Sequence, residues 1–128
     1  MGEKLKQEKK PPLSKTFGYA WEGILTGIRK ERNMRIHTAA MILVVFAGTV
    51  LGLSATEWCI CLILFGLVIA LELVNTAVEA VVDLVTKERT PLAKIAKDTA
   101  AGAVLVAAIM AAVIGCIIFL PKIVALIV

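Results

Sequence analysis

Two apolar runs, residues 36–56 and 99–121, contain no Asp, Glu, Lys or Arg. As helices, each is long enough to cross a hydrocarbon slab of ~30 Å. A third segment, residues 57–85, opens at Glu57, runs through the uncharged stretch WCICLILFGLVIA and continues as LELVNTAVEAVVDLV. As one continuous helix it would measure ~43 Å, so its more polar second half should emerge from the slab. The spans are therefore expected at about 36–53, 57–85 and 92–120, with Pro91 suited to open the last helix and Pro121 marking its outer end.

Ahead of these, the stretch from Ser14 alternates apolar and polar residues at helical spacing. Phe17, Trp21, Ile24, Leu25 and Ile28 gather on one side, with Lys15, Glu22, Arg29 and Lys30 largely elsewhere. That pattern predicts an amphipathic helix over 14–32 lying on a membrane surface; the alternative is an ordinary helix packed on protein. Residues 1–13, charged up to the Pro11-Pro12 pair, are expected to be a mobile tail, residues 14–122 one membrane domain, and 123–128 an outer tail. Gly48 and Gly52 stand at GxxxG spacing. Thr99, Ala103, Ala107, Ala111 and Gly115 form a small-residue ridge that permits close helix contact. The fold class is an all-α membrane protein, three transmembrane helices preceded by an N-terminal surface helix.

Composition supports that class: 59% of the 128 residues are hydrophobic, more than a water-soluble domain of this length usually carries. Charge sets orientation. Nine of the fourteen Lys and Arg precede residue 36, four lie between 87 and 97, and Lys122 alone falls on the opposite face. By the positive-inside rule, the N-terminus and the 86–97 loop are cytoplasmic and the C-terminus is outside. No signal peptide is expected, because the first fifteen residues are polar and no apolar stretch follows before residue 36. The basic N-terminal segment carries no nucleic-acid motif, so its charge is read as topology and attraction to anionic lipid. Cys59, Cys61 and Cys116 have neither disulfide nor metal spacing and are read as buried packing residues.

Within the third segment, Glu72, Asn75, Glu79 and Asp83 lie at offsets of three, seven and eleven residues. At about 100° per residue they share one narrow helical stripe. Glu72 falls ~21 Å from the outer end of its helix, within the inner leaflet. A carboxylate there costs at least ~2.5–3.5 kcal/mol on insertion scales, which marks it as functional. The stripe then runs outward to cytoplasmic water, an arrangement suited to a reaction between a membrane-dissolved molecule and a soluble one. Lys94, Lys97 and Asp98 open the next helix. They fit a structural ion-pair network or a phosphate site, and the residue types do not choose between them. Glu31, set among Arg29, Lys30 and Arg32, reads from its neighbours alone as a solvated partner. GxxxxGK[ST] and GxGxxG are absent, and His37 is the only histidine. What remains is carboxylates, an amide and lysines, a set suited to Mg²⁺ shared with substrate phosphates and to phosphoryl transfer. A carboxylate-lined transporter would require the stripe to cross both leaflets. A packing subunit would use these charges only in pairs.

The stretch Glu72-Leu-Val-Asn75-Thr-Ala-Val-Glu79-Ala-Val-Val-Asp83, followed by Ala96-Lys97-Asp98-Thr-Ala-Ala-Gly-Ala-Val104, resembles the prokaryotic diacylglycerol kinase family of small integral-membrane lipid kinases. GYAWEG, ERNMRIH and FLPK extend the likeness over about residues 15–122. The resemblance implies a homotrimer in the bacterial plasma membrane, with active sites between protomers at the cytoplasmic interface. It assigns Glu72 as general base on the lipid hydroxyl, and Glu31 and Glu79 as carboxylates holding a divalent metal with the ATP phosphates. Asn75, Asp83 and Lys94 fall at further active-site positions, and Lys97 and Asp98 near the nucleotide. Tyr19 matches a nucleotide-contacting aromatic, and Glu88, Arg89 and Thr90 align with a nucleotide-contacting loop of different sequence. ERNMRIH, TPLAK and IFLPK resemble the Gram-positive undecaprenol kinases more than the Gram-negative diacylglycerol kinases, which carry arginine where Pro12 stands and glutamate where His37 stands. Undecaprenol is therefore the expected alcohol and diacylglycerol the alternative.

Overall fold

The computed structural model describes residues 9–128, so most of the expected N-terminal tail lies outside the described residues. Four helices follow in order: α1 Leu13–Lys30, α2 Arg32–Leu51, α3 Ala55–Val85 and α4 Pro91–Ile127. α2, α3 and α4 are each long and apolar enough to cross a bilayer.

Each boundary has a local cause. α1 and α2 are divided by Glu31 alone, whose extended backbone (φ −97°, ψ 117°) breaks the helix where the amphipathic pattern gives way to the apolar run. Its N–H still donates to the Gly27 carbonyl at 2.9 Å and its own carbonyl accepts from Arg35 N–H at 3.3 Å. The hinge is therefore tight, and α2 takes in Arg32–Arg35 before its apolar part begins. α2 ends at Gly52, in the left-handed region at φ 70°, where a side chain would be strained. The N–H groups of Gly52 and Leu53 both donate to the Gly48 carbonyl, at 3.0 and 3.1 Å. Gly48 serves a different purpose: a Cβ there would come 2.8 Å from the Trp58 indole. The GxxxG spacing is thus absorbed by the α2–α3 corner.

α3 opens on a capping box, with Ser54 Oγ accepting from Glu57 N–H at 3.2 Å and the Glu57 carboxylate accepting from Ser54 N–H at 2.8 Å. Thr90 Oγ1 caps α4 by accepting from Ala93 N–H at 3.2 Å, and Pro91 occupies the first turn, where its missing N–H costs nothing.

The expected outer end of the last span at Pro121 is corrected, because α4 runs through the proline to Ile127. A proline removes one helical N–H, and membrane helices tolerate the loss. Beyond it, Lys122 Nζ lies 3.1 Å from the Glu57 carboxylate, which fastens this turn to the start of α3.

α3 is the axis of the molecule. α4 packs along it most extensively, α2 less so, α1 crosses α2 and α3, and α2 and α4 barely meet. Near the α2–α3 corner Leu53, Cys61 and Ile118 form a small core with Val44, Trp58 and Phe65 around it. Nearer the other end Met34 and Glu72 are the fully buried side chains. α1 can pass close to α3 there because Gly27 has no side chain; a Cβ would meet Leu73 Cδ2 at 2.8 Å and Met34 Cε at 3.1 Å. The small-residue ridge of α4 is divided. Ala107 is buried and Ala111 and Gly115 are half-buried, whereas Thr99 and Ala103 are exposed. The cysteine reading is also corrected: Cys61 is buried, but Cys59 and Cys116 are exposed. Two residues along a helix turn a side chain by ~200°, so Cys59 faces away from the neighbours that enclose Cys61.

Candidate active site

Most of the side chains singled out by sequence fall into two groups that line separate cavities. The inner group stands on α3. Glu72 is 1% exposed and Asn75 6%, both among otherwise apolar helices. They line a cavity of about 250 Å³ between α2, α3 and α4, together with Asn33, Ile36, His37, Ala101 and Val104. Glu72 Oε1 and Asn75 Oδ1 are buried and accept no hydrogen bond. Leaving a buried acceptor unsatisfied costs about 1–3 kcal/mol, more for a charged one, so the protein here maintains two acceptors that call for a donor.

The outer group surrounds the connection from α3 to α4. Asp83, Glu88, Arg89, Thr90, Lys94, Lys97 and Asp98 line a cleft of about 600 Å³. Lys97 Nζ reaches across from α4 to Asp83 Oδ1 on α3 at 2.7 Å, and Lys94 pairs with Asp98 one turn along α4. Thr86 Oγ1 accepts from Glu88 N–H at 3.0 Å, and the Glu88 carbonyl accepts from Thr90 N–H at 3.0 Å. These bonds give the connection a defined turn. All four ion-paired side chains of this cleft keep substantial contact with solvent, so the pairs hold them loosely enough for an incoming anion to compete.

Glu79 follows Glu72 by two turns on α3 and is half-buried, while Glu31 is half-buried at the α1–α2 hinge. Among the described residues, no three His, Cys, Asp or Glu side chains form a complete metal-binding group. Glu31 and Glu79 offer carboxylate oxygens, the donor type a hard cation takes together with phosphate and water. Glu31, Glu79 and Tyr19 line neither cavity, and Tyr19 is 59% exposed on α1.

Reasoning from the sequence missed His37 as a neighbour of Glu72. Its Nε2 lies 3.2 Å from Glu72 Oε1. The signal was present in the hairpin register: His37 is sixteen residues before Leu53 and Glu72 nineteen after it. Helices folded back at that corner bring the two to depths that differ by less than a turn. Asn33, one turn earlier on α2, faces the same cavity and was also overlooked.

Comparison with known proteins gives this arrangement a context. Residues 18–119 match the model of the prokaryotic diacylglycerol kinase family. The undecaprenol kinase of Bacillus subtilis is 49% identical over 108 residues, spanning 84% of this chain and 88% of that protein. A diacylglycerol kinase of Synechocystis is 45% identical over 119 residues, spanning 92% of this chain and 68% of its own length. The diacylglycerol kinase of Escherichia coli K12 is 34% identical over 105 residues, covering 82% of this chain and 86% of that protein. All the residues of both cavities lie inside the matched region, and the chain belongs to the prokaryotic diacylglycerol kinase family of membrane lipid kinases.

Proposed function

We propose that the protein transfers the γ-phosphate of ATP to the hydroxyl of undecaprenol, giving undecaprenyl phosphate, with Glu72 as the base. The observation that carries this reading is the pair of buried acceptors on Glu72 and Asn75, with a lysine-bearing polar cleft about two turns further along α3. A primary alcohol at the head of an apolar molecule supplies an O–H for the Glu72 carboxylate and for Asn75 Oδ1. The cleft offers the cations that a triphosphate requires.

In this mechanism the Glu72 carboxylate accepts the hydroxyl proton as the alcohol oxygen bonds to the γ-phosphorus and the bond to the ADP oxygen breaks. Asn75 holds the hydroxyl from the next turn of α3. Lys97 exchanges Asp83 for phosphate oxygens, Lys94 does the same with Asp98, and Arg89 and the turn Glu88–Thr90 border the nucleotide. Glu31 and Glu79 are the residues that would hold Mg²⁺, whose charge neutralises the triphosphate when it is bound. Tyr19 on α1 is the aromatic that would contact the nucleotide, from outside the cleft.

Orientation follows from charge: the ends of α3 and α4 that carry the cleft face the cytoplasm of the bacterial plasma membrane, as the lysines and arginines around it favour. α1, with Phe17 and Trp21 exposed, lies along that surface. The large apolar exterior of the three long helices suits a homotrimer in lipid, with the sites completed between protomers. Diacylglycerol is the second reading, favoured by the Synechocystis relative, since both alcohols present the same primary hydroxyl.

One assay tests these readings together. Purified protein in detergent, given MgATP labelled at the γ-phosphate, is expected to label undecaprenol faster than diacylglycerol. Faster labelling of diacylglycerol would reverse the substrate assignment, and labelling of neither would refute the kinase.

A further inference from the structure

His37 has no part in the mechanism above, yet it is the side chain set against the carboxylate that does the chemistry. It projects from α2 into the wall between the Glu72 cavity and an adjoining apolar cavity of about 260 Å³ bordered by Ala40, Val44, Phe65 and Ala111. Its side chain is 25% exposed against 1% for Glu72, and its Nε2 stands 3.2 Å from Glu72 Oε1. The two are within reach but misaligned, because Oε1 accepts no hydrogen bond. Catalytic hydrogen bonds are commonly loose before substrate arrives and tighten in the reacting complex.

The consequence follows from the shape of a carboxylate. The terminal torsion of a glutamate is broad and roughly two-fold, so an untethered carboxylate swings and presents either oxygen. A base that must meet one hydroxyl in one orientation loses rate when it swings. We propose that His37 is a positioning residue for Glu72: the imidazole Nε2–H donates to Oε1 and leaves Oε2 to take the proton from the lipid hydroxyl. The imidazole itself neither gains nor loses a proton in this step. The proposal rests on the lipid-kinase reading and deepens it by assigning the group that aims the base.

A role in packing alone would depend on volume, whereas this one depends on a donor at a set reach. H37Q carries an amide N–H at about the reach of Nε2, H37N carries it one bond shorter, and H37L fills the space without a donor. Steady-state phosphotransfer to undecaprenol from MgATP, in detergent, separates these cases. H37Q is expected to keep kcat within about threefold of wild type, while H37N and H37L lose about tenfold to a hundredfold, with KM for MgATP little changed. In an E72Q background H37L should cost nothing more, because the two residues act as one unit.

Equal kcat in all three variants would overturn the proposal, as would equal loss in H37Q and H37N, or a loss confined to KM for MgATP. Should H37L not fold, the comparison of H37Q with H37N decides alone. Absence of transfer by the wild-type protein would instead bring down the kinase reading beneath it. An active wild type with indifferent variants overturns only the role of His37.

Discussion

Replacing Gly27 tests how the hinge carboxylate is held. Gly27 is buried where α1 crosses α3, and a Cβ there would sit 2.8 Å from Leu73 Cδ2 and 3.1 Å from Met34 Cε, against an ordinary contact of 3.4–4 Å. Both neighbours are the far ends of flexible side chains, so Gly27→Ala needs only a shift of several tenths of an ångström and should be borne with little loss. Gly27→Val adds two further methyl groups in the same direction, and rotation of Leu73 and Met34 no longer suffices. α1 must then lift from α3, and such overpacking costs about 1–3 kcal/mol. The displacement reaches Glu31 directly, because the Glu31 N–H donates to the Gly27 carbonyl at 2.9 Å. A misplacement of about 1 Å in a positioning group can cost ~10²-fold in rate. Gly27→Val should therefore lose about tenfold to a hundredfold in kcat/KM for MgATP and unfold at lower temperature, while Gly27→Ala stays within about threefold. Phosphotransfer in detergent and thermal unfolding followed by circular dichroism measure both. Wild-type turnover in Gly27→Val would show that the position of α1, and of Glu31 with it, does not matter to the reaction.

Lys97 and Asp83 should separate stability from turnover. Their pair is 39% and 46% exposed and so screened by solvent, and breaking it should change unfolding by no more than about 1 kcal/mol. Lys97→Ala should nonetheless lose phosphotransfer by ~10²-fold or more, as removal of an electrostatic stabiliser does; a fall in Tm with turnover intact would make the pair purely structural. Ser54→Ala removes the cap of α3 far from both cavities and should cost about 1 kcal/mol of stability with kcat unchanged, as thermal unfolding and phosphotransfer would register.

The spans and their order were readable because charge-free runs of this length admit few other structures. The stripe from Glu72 to Asp83 was equally plain, since helical spacing alone fixes which residues share a face. Two features escaped for physical reasons. Pro121 signals a stop only through local chemistry, and it cannot register an apolar sequence beyond it or an ion pair between Lys122 and Glu57 across the corner. The neighbours of Glu72 depend on where α2 folds back, which is set by the left-handed Gly52 and the cap at Ser54. His37 could have been matched to Glu72 only by counting from that turn in both directions. The division of the candidates into an inner and an outer cavity was also out of reach, because it depends on how far α4 stands from α2.

The most direct test of the account is single-turnover phosphotransfer by Glu72→Gln, a change that keeps the volume of the side chain and removes its ability to take a proton. The account predicts a loss of ~10²-fold or more in transfer to the lipid alcohol, with MgATP binding and oligomeric state preserved. Transfer at the wild-type rate would show that the buried carboxylate on α3 is not where the alcohol gives up its proton.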